Sequence, residues 1–176
     1  DARALRQRLA FLHEHDPAWP DVSDEALAET AADWLAPFLA GTRGDLARVD
    51  LEAALRARVE ARLEAQLDVL APTHMDVPSG SRLRIDYADP SAPVLAARLQ
   101  ELFGWTETPR IADDRVPLTI HLLSPAHRTV QVTRDLASFW RTGYFDVRRD
   151  LRGRYPKHYW PEDPLTATAT RRVRPR

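Results

Sequence analysis

Residues 77–87 read VPSGSRLRIDY. Pro78-Ser79-Gly80-Ser81 is a turn by composition. From Arg82 the chain alternates, with Leu83, Ile85 and Tyr87 on one face and Arg82, Arg84 and Asp86 on the other. A period of two with one apolar face predicts a half-buried antiparallel strand. The two outward arginines suit contact with a nucleic-acid backbone and suit solubility equally. Further on, 115–123 repeats the alternation, with Val116, Leu118, Ile120 and Leu122 inward. Ser124-Pro125-Ala126-His127-Arg128 forms a turn, and Val130 and Val132 mark a return strand. Between these strands, 93–103 carries Val94, Leu95, Leu99, Leu102 and Phe103 at helical spacing, with Gly104 as a terminator, which predicts a short helix. Short strands around one helix predict a small OB-like antiparallel β-barrel over 72–133, with a fifth strand near 110–112.

Upstream of Pro72 the apolar period lengthens. Residues 2–13 place Leu5, Leu9 and Leu12 on one helical face, and Asp16, Pro17 and Pro20 end that helix. Ser23 is a good N-cap for a second helix, with Asp24 and Glu25 favouring its positive end. Leu27, Ala31, Trp34, Leu35 and Phe38 carry that helix to about Ala40, with a kink at Pro37 and a stop at Gly41; Trp34 reads as core. A third helix is expected over 50–70, where Leu51, Leu55, Val59, Leu63 and Leu67 recur every four residues. Residues 1–71 therefore predict a helical bundle. Beyond 133, Leu136, Phe139, Trp140, Val147 and Leu151 predict a helix over 134–151 interrupted at Gly143. The fold class is α+β: a helical bundle (1–71), the OB-like barrel (72–133), and a C-terminal helix with a basic arm (134–176).

That arm, RRDLRGRYPKHYWPEDP (148–164), sets Arg148, Arg149, Arg152, Arg154 and Lys157 among Tyr155, Tyr159 and Trp160. Its prolines at 156, 161 and 164 exclude a continuous helix or a central strand. Flat cations beside aromatic rings can hold phosphates and stack an unpaired base. The same stretch also suits a rigid arm docked on its own domain, with Trp160, flanked by prolines, as a structural clasp. Residues 164–176 read as a flexible basic tail.

Charge is unevenly spread. The chain has 25 Lys/Arg and 26 Asp/Glu, but residues 134–176 hold 11 of the former against 5 of the latter. The positive charge thus gathers at one end, nearly all of it arginine, since Lys157 is the only lysine. Hydrophobic residues make up 44% of the chain, enough to bury a core and to exclude a disordered chain. Cysteine is absent, which excludes a disulfide framework and fits a cytoplasmic, reducing compartment. No apolar run reaches the roughly 18 residues of a membrane span. The chain starts at Asp1 within a helical pattern, as a fragment of a longer protein would.

Catalytic constellations are missing. The six glycines are scattered, and Lys157 follows no GxxxxG, so the phosphate loop needed for ATP hydrolysis has no counterpart. None of the six histidines has a metal-ligand spacing. Asp113-Asp114 and Glu162-Asp163 read as solubilising charge rather than as an acid–base pair.

The words of the chain also resemble a family. RGRYPKHYWPEDP, VPSGSRLRIDY, PVLAARLQELFG (93–104) and VPLTIHLLSPAHRTVQVTRDLASFW (116–140) resemble, in order and spacing, the C-terminal signature of the HrpB group of bacterial DEAH-box ATP-dependent helicases. WPDVSDEALAETAADWLAPFLAG (19–41) looks like the helical part before it. The resemblance implies a non-catalytic accessory region that helps bind single-stranded RNA and form its channel. The expected contacts are Arg82, Arg84, Arg128, Arg148, Arg149, Arg152, Arg154, Lys157 and Tyr155. Its partners would be single-stranded RNA and the motor domains of the same protein, with no membrane; ATP and magnesium would belong only to those motor domains, leaving this chain without a cofactor. A different class of function, a module recruiting a protein partner to the helicase, fits the same composition. By itself the chain should not turn over ATP above background, and turnover that survives repurification and responds to RNA would overturn that expectation.

Overall fold

The computed structural model describes residues 1–39 and 48–175. The expected end of the second helix at Ala40 and Gly41 lies outside the described residues. The chain divides into two compact units. One comprises Asp1–Ala71 with Tyr87–Ser91, the other Pro72–Asp86 with Ala92–Arg176.

In the first unit, helix α1 (Ala2–His15) is capped by the Asp1 carboxylate, which accepts from the Arg3 N–H, and buries Leu5, Leu9, Phe11 and Leu12. Ser23 caps α2 (Asp24–Glu29) by accepting from the Ala26 N–H. The helix expected there is two helices, with α3 (Ala31–Leu39) following a break at Thr30. The Thr30 hydroxyl donates to the Ala26 carbonyl at 2.6 Å, competing locally for an acceptor of the helical ladder. Trp34 is only half-buried, with its indole N–H on the Leu27 carbonyl and the Arg58 guanidinium 5.8 Å from its ring centre.

The single helix expected over 50–70 is three short ones: α4 (Leu51–Arg56), α5 (Ala61–Glu64) and α6 (Leu67–Leu70). Leu55, Val59, Leu63 and Leu67 are all buried, while Leu51 is exposed. At about 100° per residue, a four-residue spacing rotates each successive side chain by about 40°. A straight helix would swing Leu67 about 120° away from Leu55. The two breaks reset the direction and keep all four side chains inward.

Arg8 joins the two ends of this unit. Its side chain is buried, with Nε donating to the Ala71 carbonyl at 2.6 Å and a terminal nitrogen donating to the Leu67 carbonyl and the Asp68 carboxylate. Tyr87, expected on the inward face of the first strand, belongs instead to this unit. It is buried with its ring centre 5.2 Å from that of Phe11.

The second unit is built on one five-stranded sheet. Its strands are β1 (His74–Asp76), β2 (Arg82–Asp86), β3 (Val94–Arg98), β6 (Thr119–Leu123) and β7 (Thr129–Thr133), hydrogen-bonded in the order β1-β2-β3-β6-β7. A separate pair joins β4 (Arg110–Ile111) to β5 (Val116–Pro117), the former falling where a fifth strand was expected. Among the described residues the sheet does not close into a barrel. The pairing is also not wholly antiparallel, because β3 and β6 run parallel, Leu95 opposite Ile120 and Ala97 opposite Leu122.

The cause of both differences is the stretch expected to be a helix at 93–103. It is strand β3 followed by a 3-10 turn, Leu99–Glu101. Its apolar residues fit either period. Leu95 and Ala97 alternate inward and are 0% and 1% exposed, and β-sheet partners on both sides override the helical preference of Leu, Ala and Arg. Glu101, in that turn, is buried. Burial alone would raise its carboxyl pKa, but hydrogen bonds from Arg98, Ser81 and Ser79 outweigh it and hold the group below its ordinary value.

Helical structure returns at α7 (Leu136–Ser138), passes through a π-helical stretch, Phe139–Gly143, and continues as α8 (Tyr144–Arg154). Gly143 does not interrupt this run. A side chain there would put its Cβ 2.9 Å from the Phe139 ring, so any larger residue would force that buried ring to shift. The segment expected to be a flexible tail is held to the 98–104 turn instead. The Gly104 N–H donates to the Pro164 carbonyl, the Thr170 N–H to the Gln100 carbonyl, and the Gln100 side-chain amide to the Arg172 carbonyl.

Replacing Arg8 by methionine keeps its length but removes its donors. The Ala71 carbonyl then loses its donor, while the Leu67 carbonyl keeps only the Ala71 N–H, at a cost of about 1–3 kcal/mol. A lowered urea midpoint with an unchanged slope is the expected result for Arg8→Met.

Candidate nucleic-acid interface

Two rings decide where the basic segment lies. Trp140 and Tyr144 are 1% and 0% exposed, and both pack on Phe103, with ring centres 6.0 and 6.1 Å away. The Trp140 indole N–H donates to the Trp105 carbonyl at 2.8 Å. The Tyr144 hydroxyl donates to the Pro161 carbonyl at 2.7 Å. Burial pushes this phenol's pKa well above its usual range, against the opposing pull of the Arg148 charge. At neutral pH it therefore stays a donor.

These contacts fix helix α8 and bring the chain after it back along the helix. The helix continues three residues past its expected end at Leu151, because the prolines begin only at 156. The turn after it is closed by the Tyr155 N–H on the Leu151 carbonyl. Trp160 then holds the returning chain from both sides. Its indole N–H donates to the Tyr155 carbonyl at 2.8 Å, and its own carbonyl accepts from the Arg148 Nε at 3.1 Å. Tyr159 packs edge-on against Phe103, while Pro161 and Pro164 are buried.

The anticipated contact residues fall in three places. Arg148, Arg149, Arg152 and Arg154 are on α8, with Tyr155 and Lys157 just after it. Arg82 and Arg84 are on β2, and Arg128 is in the turn between β6 and β7. No described hydrogen bond or ion pair joins one place to another. Within the first group the roles differ. Arg148 is half-buried and committed to Trp160. Arg149 pairs with Asp146 at 2.5 Å and Arg154 with Asp150 at 3.3 Å, all four side chains more than half exposed. Such surface pairs contribute little and exchange readily for another anion. Arg152 and Lys157 are exposed and have no acidic partner among the described residues. The Tyr155 ring is half-buried against His158, with centres 5.8 Å apart. Burial, with a smaller effect of the Arg98 charge, lowers the His158 pKa.

Arg82 and Arg84 point outward from a sheet face that remains open. Arg84 stands opposite His74. On the same face Ala96 pairs with His121, and His121 with Val132. His74, Arg82, Arg84, Ala96 and Val132 are all exposed there.

Sequence reasoning missed Phe145. It is 47% exposed, although its ring also touches that of Tyr144. Arg149 and Arg152 follow at the i+4 and i+7 positions of α8, so all three share one face. No pattern in the sequence marks Phe145, since the equally adjacent aromatics Phe139 and Trp140 are both buried. Among the described residues, no group of three or more His, Cys, Asp or Glu is placed to hold a metal ion. No described helix is long and apolar enough to cross a membrane.

Residues 34–164 match the family model for the ATP-dependent helicase C-terminal region, HrpB_C. The ATP-dependent RNA helicase HrpB of Escherichia coli K12 is 43% identical over 180 residues, which cover 99% of this chain and 22% of that protein. The crystal structure of the E. coli DExH-box NTPase HrpB superposes with a TM-score of 0.85 at 44% identity, over 97% of this chain and 22% of that one. A crystal structure of the E. coli DEAH/RHA helicase HrpB gives 0.71 at 40% identity, over 90% and 20%. Fold and sequence together define a C-terminal helicase domain. The chain belongs to the HrpB family. It spans about a fifth of the length of the relatives it matches.

Trp160→Ala removes both the indole donor and a half-buried ring. The expected cost is on the order of 2 kcal/mol, below that of a fully buried tryptophan. The melting temperature should fall; an unchanged one would show that Trp160 does not hold the arm.

Proposed function

We propose that this chain is a non-catalytic accessory region of an ATP-dependent RNA helicase. It contacts single-stranded RNA through α8 and the arm, and helps form the channel beside the motor domains of the same protein. The observation that carries this reading is the exposed α8 face bearing Phe145, Arg149 and Arg152, with Lys157 beyond it. Arginine holds a phosphate through two parallel hydrogen bonds, and an exposed ring accepts any base on its face. Sequence-tolerant binding needs only those two elements. The motor domains would supply ATP hydrolysis, magnesium and directional movement.

Arg148 supports that surface by fixing the arm, while Arg154, nine residues after Phe145, lies on the other side of α8 and would meet a phosphate separately. Arg82, Arg84 and Arg128 offer further phosphate contacts from the sheet and its turn. The family match supports the helicase context, since the E. coli relative is described as an RNA helicase. Rigid placement of the arm through Tyr144 and Trp160 supports the contact role, because cations held in place lose less entropy on binding.

The test is binding of a labelled uridine oligomer across a salt series. The Arg149→Glu, Arg152→Glu double variant should weaken binding to all sequences alike. It should also flatten the dependence of log affinity on log salt by about 0.7 for each phosphate no longer held. Phe145→Ala should cost about 1–3 kcal/mol of stacking energy with little change in that slope. Unchanged affinity in the arginine variant would overturn the reading. Partner binding that ignores salt would favour a protein-recruiting module instead.

A further inference from the structure

The last described stretch of the chain lies against the arm as well as against the 98–104 turn. The Tyr159 N–H donates to the Val173 carbonyl at 2.9 Å. The Arg174 Nε donates to the Lys157 carbonyl at 3.1 Å. On its other side, Arg98 donates to the Arg171 carbonyl and Gln100 to the Arg172 carbonyl, while the Thr170 N–H donates to the Gln100 carbonyl. Thr170 is buried. The backbone of 170–173 is therefore pinned from two directions by hydrogen bonds that do not involve its arginine side chains.

The side chains of Arg171 and Arg172 remain available. Both residues are exposed, and neither side chain has a hydrogen-bond or acidic partner among the described residues. They line a pocket of about 300 Å³ together with Ser79, Thr168, Ala169, Thr170 and Pro175. Two arginines and three hydroxyl-bearing residues line this space, and no carboxylate does among the described residues. The Ser79 hydroxyl is bonded to Ser81 and Glu101, and that of Thr170 accepts from the Arg172 N–H. The nearest acid by hydrogen bonding is Glu101 behind Ser79, and its charge is already engaged by Arg98. A pocket of about 440 Å³ in the first unit has a different chemistry. There Arg3, Arg6 and His13 are mixed with Glu14 and Asp21, and Arg6 is held by Val22 and Asp24. Of the two, the pocket at 168–172 is the one chemically fitted to an anion.

We propose that Arg171 and Arg172, with the Thr168 hydroxyl, form a second phosphate seat for the same RNA strand. This rests on the reading of α8 as an RNA contact. The seat continues that surface, because Lys157 at the end of the arm is bonded directly to Arg174, two residues from Arg172. The chemistry required is that of a phosphodiester: one negative charge, two acceptor oxygens and no need for base recognition.

The test uses the full chain, a labelled uridine oligomer and a salt series. In the Arg171→Ala, Arg172→Ala double variant, the log–log salt slope should become shallower by about 0.7, the value for one single-strand phosphate. The melting temperature should hold, because the backbone bonds of the strap remain. Thr168→Glu puts a carboxylate into the pocket without touching the arginines and should also lower affinity. If the double variant melts lower, the Thr168→Glu variant decides, and unchanged RNA affinity there overturns the proposal. Unchanged slopes in both, with a flattened slope in the Arg149→Glu, Arg152→Glu variant, refute the second seat and leave the α8 contact standing. Unchanged binding in all three removes both. If inorganic phosphate raises the melting temperature of the parent but not of the double variant while the RNA slopes stay equal, the pocket is a small-anion site and the proposal fails.

Discussion

One buried hydrogen bond sits at the centre of the packing that positions the basic surface of the second unit. The Tyr144 hydroxyl meets the Pro161 carbonyl deep in an aromatic cluster of Phe103, Trp140 and Tyr159. That bond acts with the Tyr159–Phe103 ring contact and the Gly104–Pro164 backbone bond to turn the chain after α8 back along the helix. This course lets Trp160 reach the Tyr155 carbonyl, gives Arg148 its acceptor, and presents Tyr159 to the segment from 170 to 173. The cations lie at the surface, but their arrangement is set by apolar packing beneath them. A phenol kept protonated by burial suits this position, since it donates at any pH the protein meets.

The parallel pairing of β3 with β6 has a comparable effect on the sheet. A parallel step demands a long crossover, and residues 99–118 supply it, including the 3-10 turn and the β4–β5 pair. Ala112, Asp113 and Asp114 take left-handed backbone angles there, with φ of 53, 55 and 57°. Asp tolerates that region better than most residues because its short side chain bonds locally. The turn that opens this crossover carries Gln100, and Arg98 stands just before it; both bind the end of the described chain. One topological choice thus creates both the sheet and the docking strip for 170–172.

How much of this was legible in the sequence varied with the length of each pattern. Strand β2 was readable because strict alternation over five residues has no helical equivalent. The alternation over 115–123 marked β6 as well, but not the break that puts Val116–Pro117 into the separate β4–β5 pair. The buried positions Leu55, Val59, Leu63 and Leu67 were readable too, though not the breaks between them, which depend on what the side chains pack against. At 94–98 the residues satisfy both periods, and only the neighbouring strands choose between them. That one ambiguity turned an open mixed sheet into an expected antiparallel barrel. For the candidate interface, residue types carried the message and positions did not. Arg148 and Arg152 look alike in sequence, yet one supports the arm and the other faces solvent. The tail reads as free in sequence because its backbone partners, Arg98, Gln100 and Gly104, lie some sixty to seventy residues earlier.

The division of the chain bears on how the molecule comes into being. The first unit includes Tyr87–Ser91, yet Pro72–Asp86 belongs to the second. A ribosome releases residues in order, and compact units usually fold as they emerge. Here the first unit cannot close its core over Phe11 until Tyr87 is outside the exit tunnel. By then the first two strands of the sheet have already appeared, without β3 to pair with. Nascent chains therefore pass through a stage with one unit nearly complete and a two-stranded ribbon still without its inner neighbour. The interruption that makes the units inseparable in sequence also makes their maturation sequentially coupled.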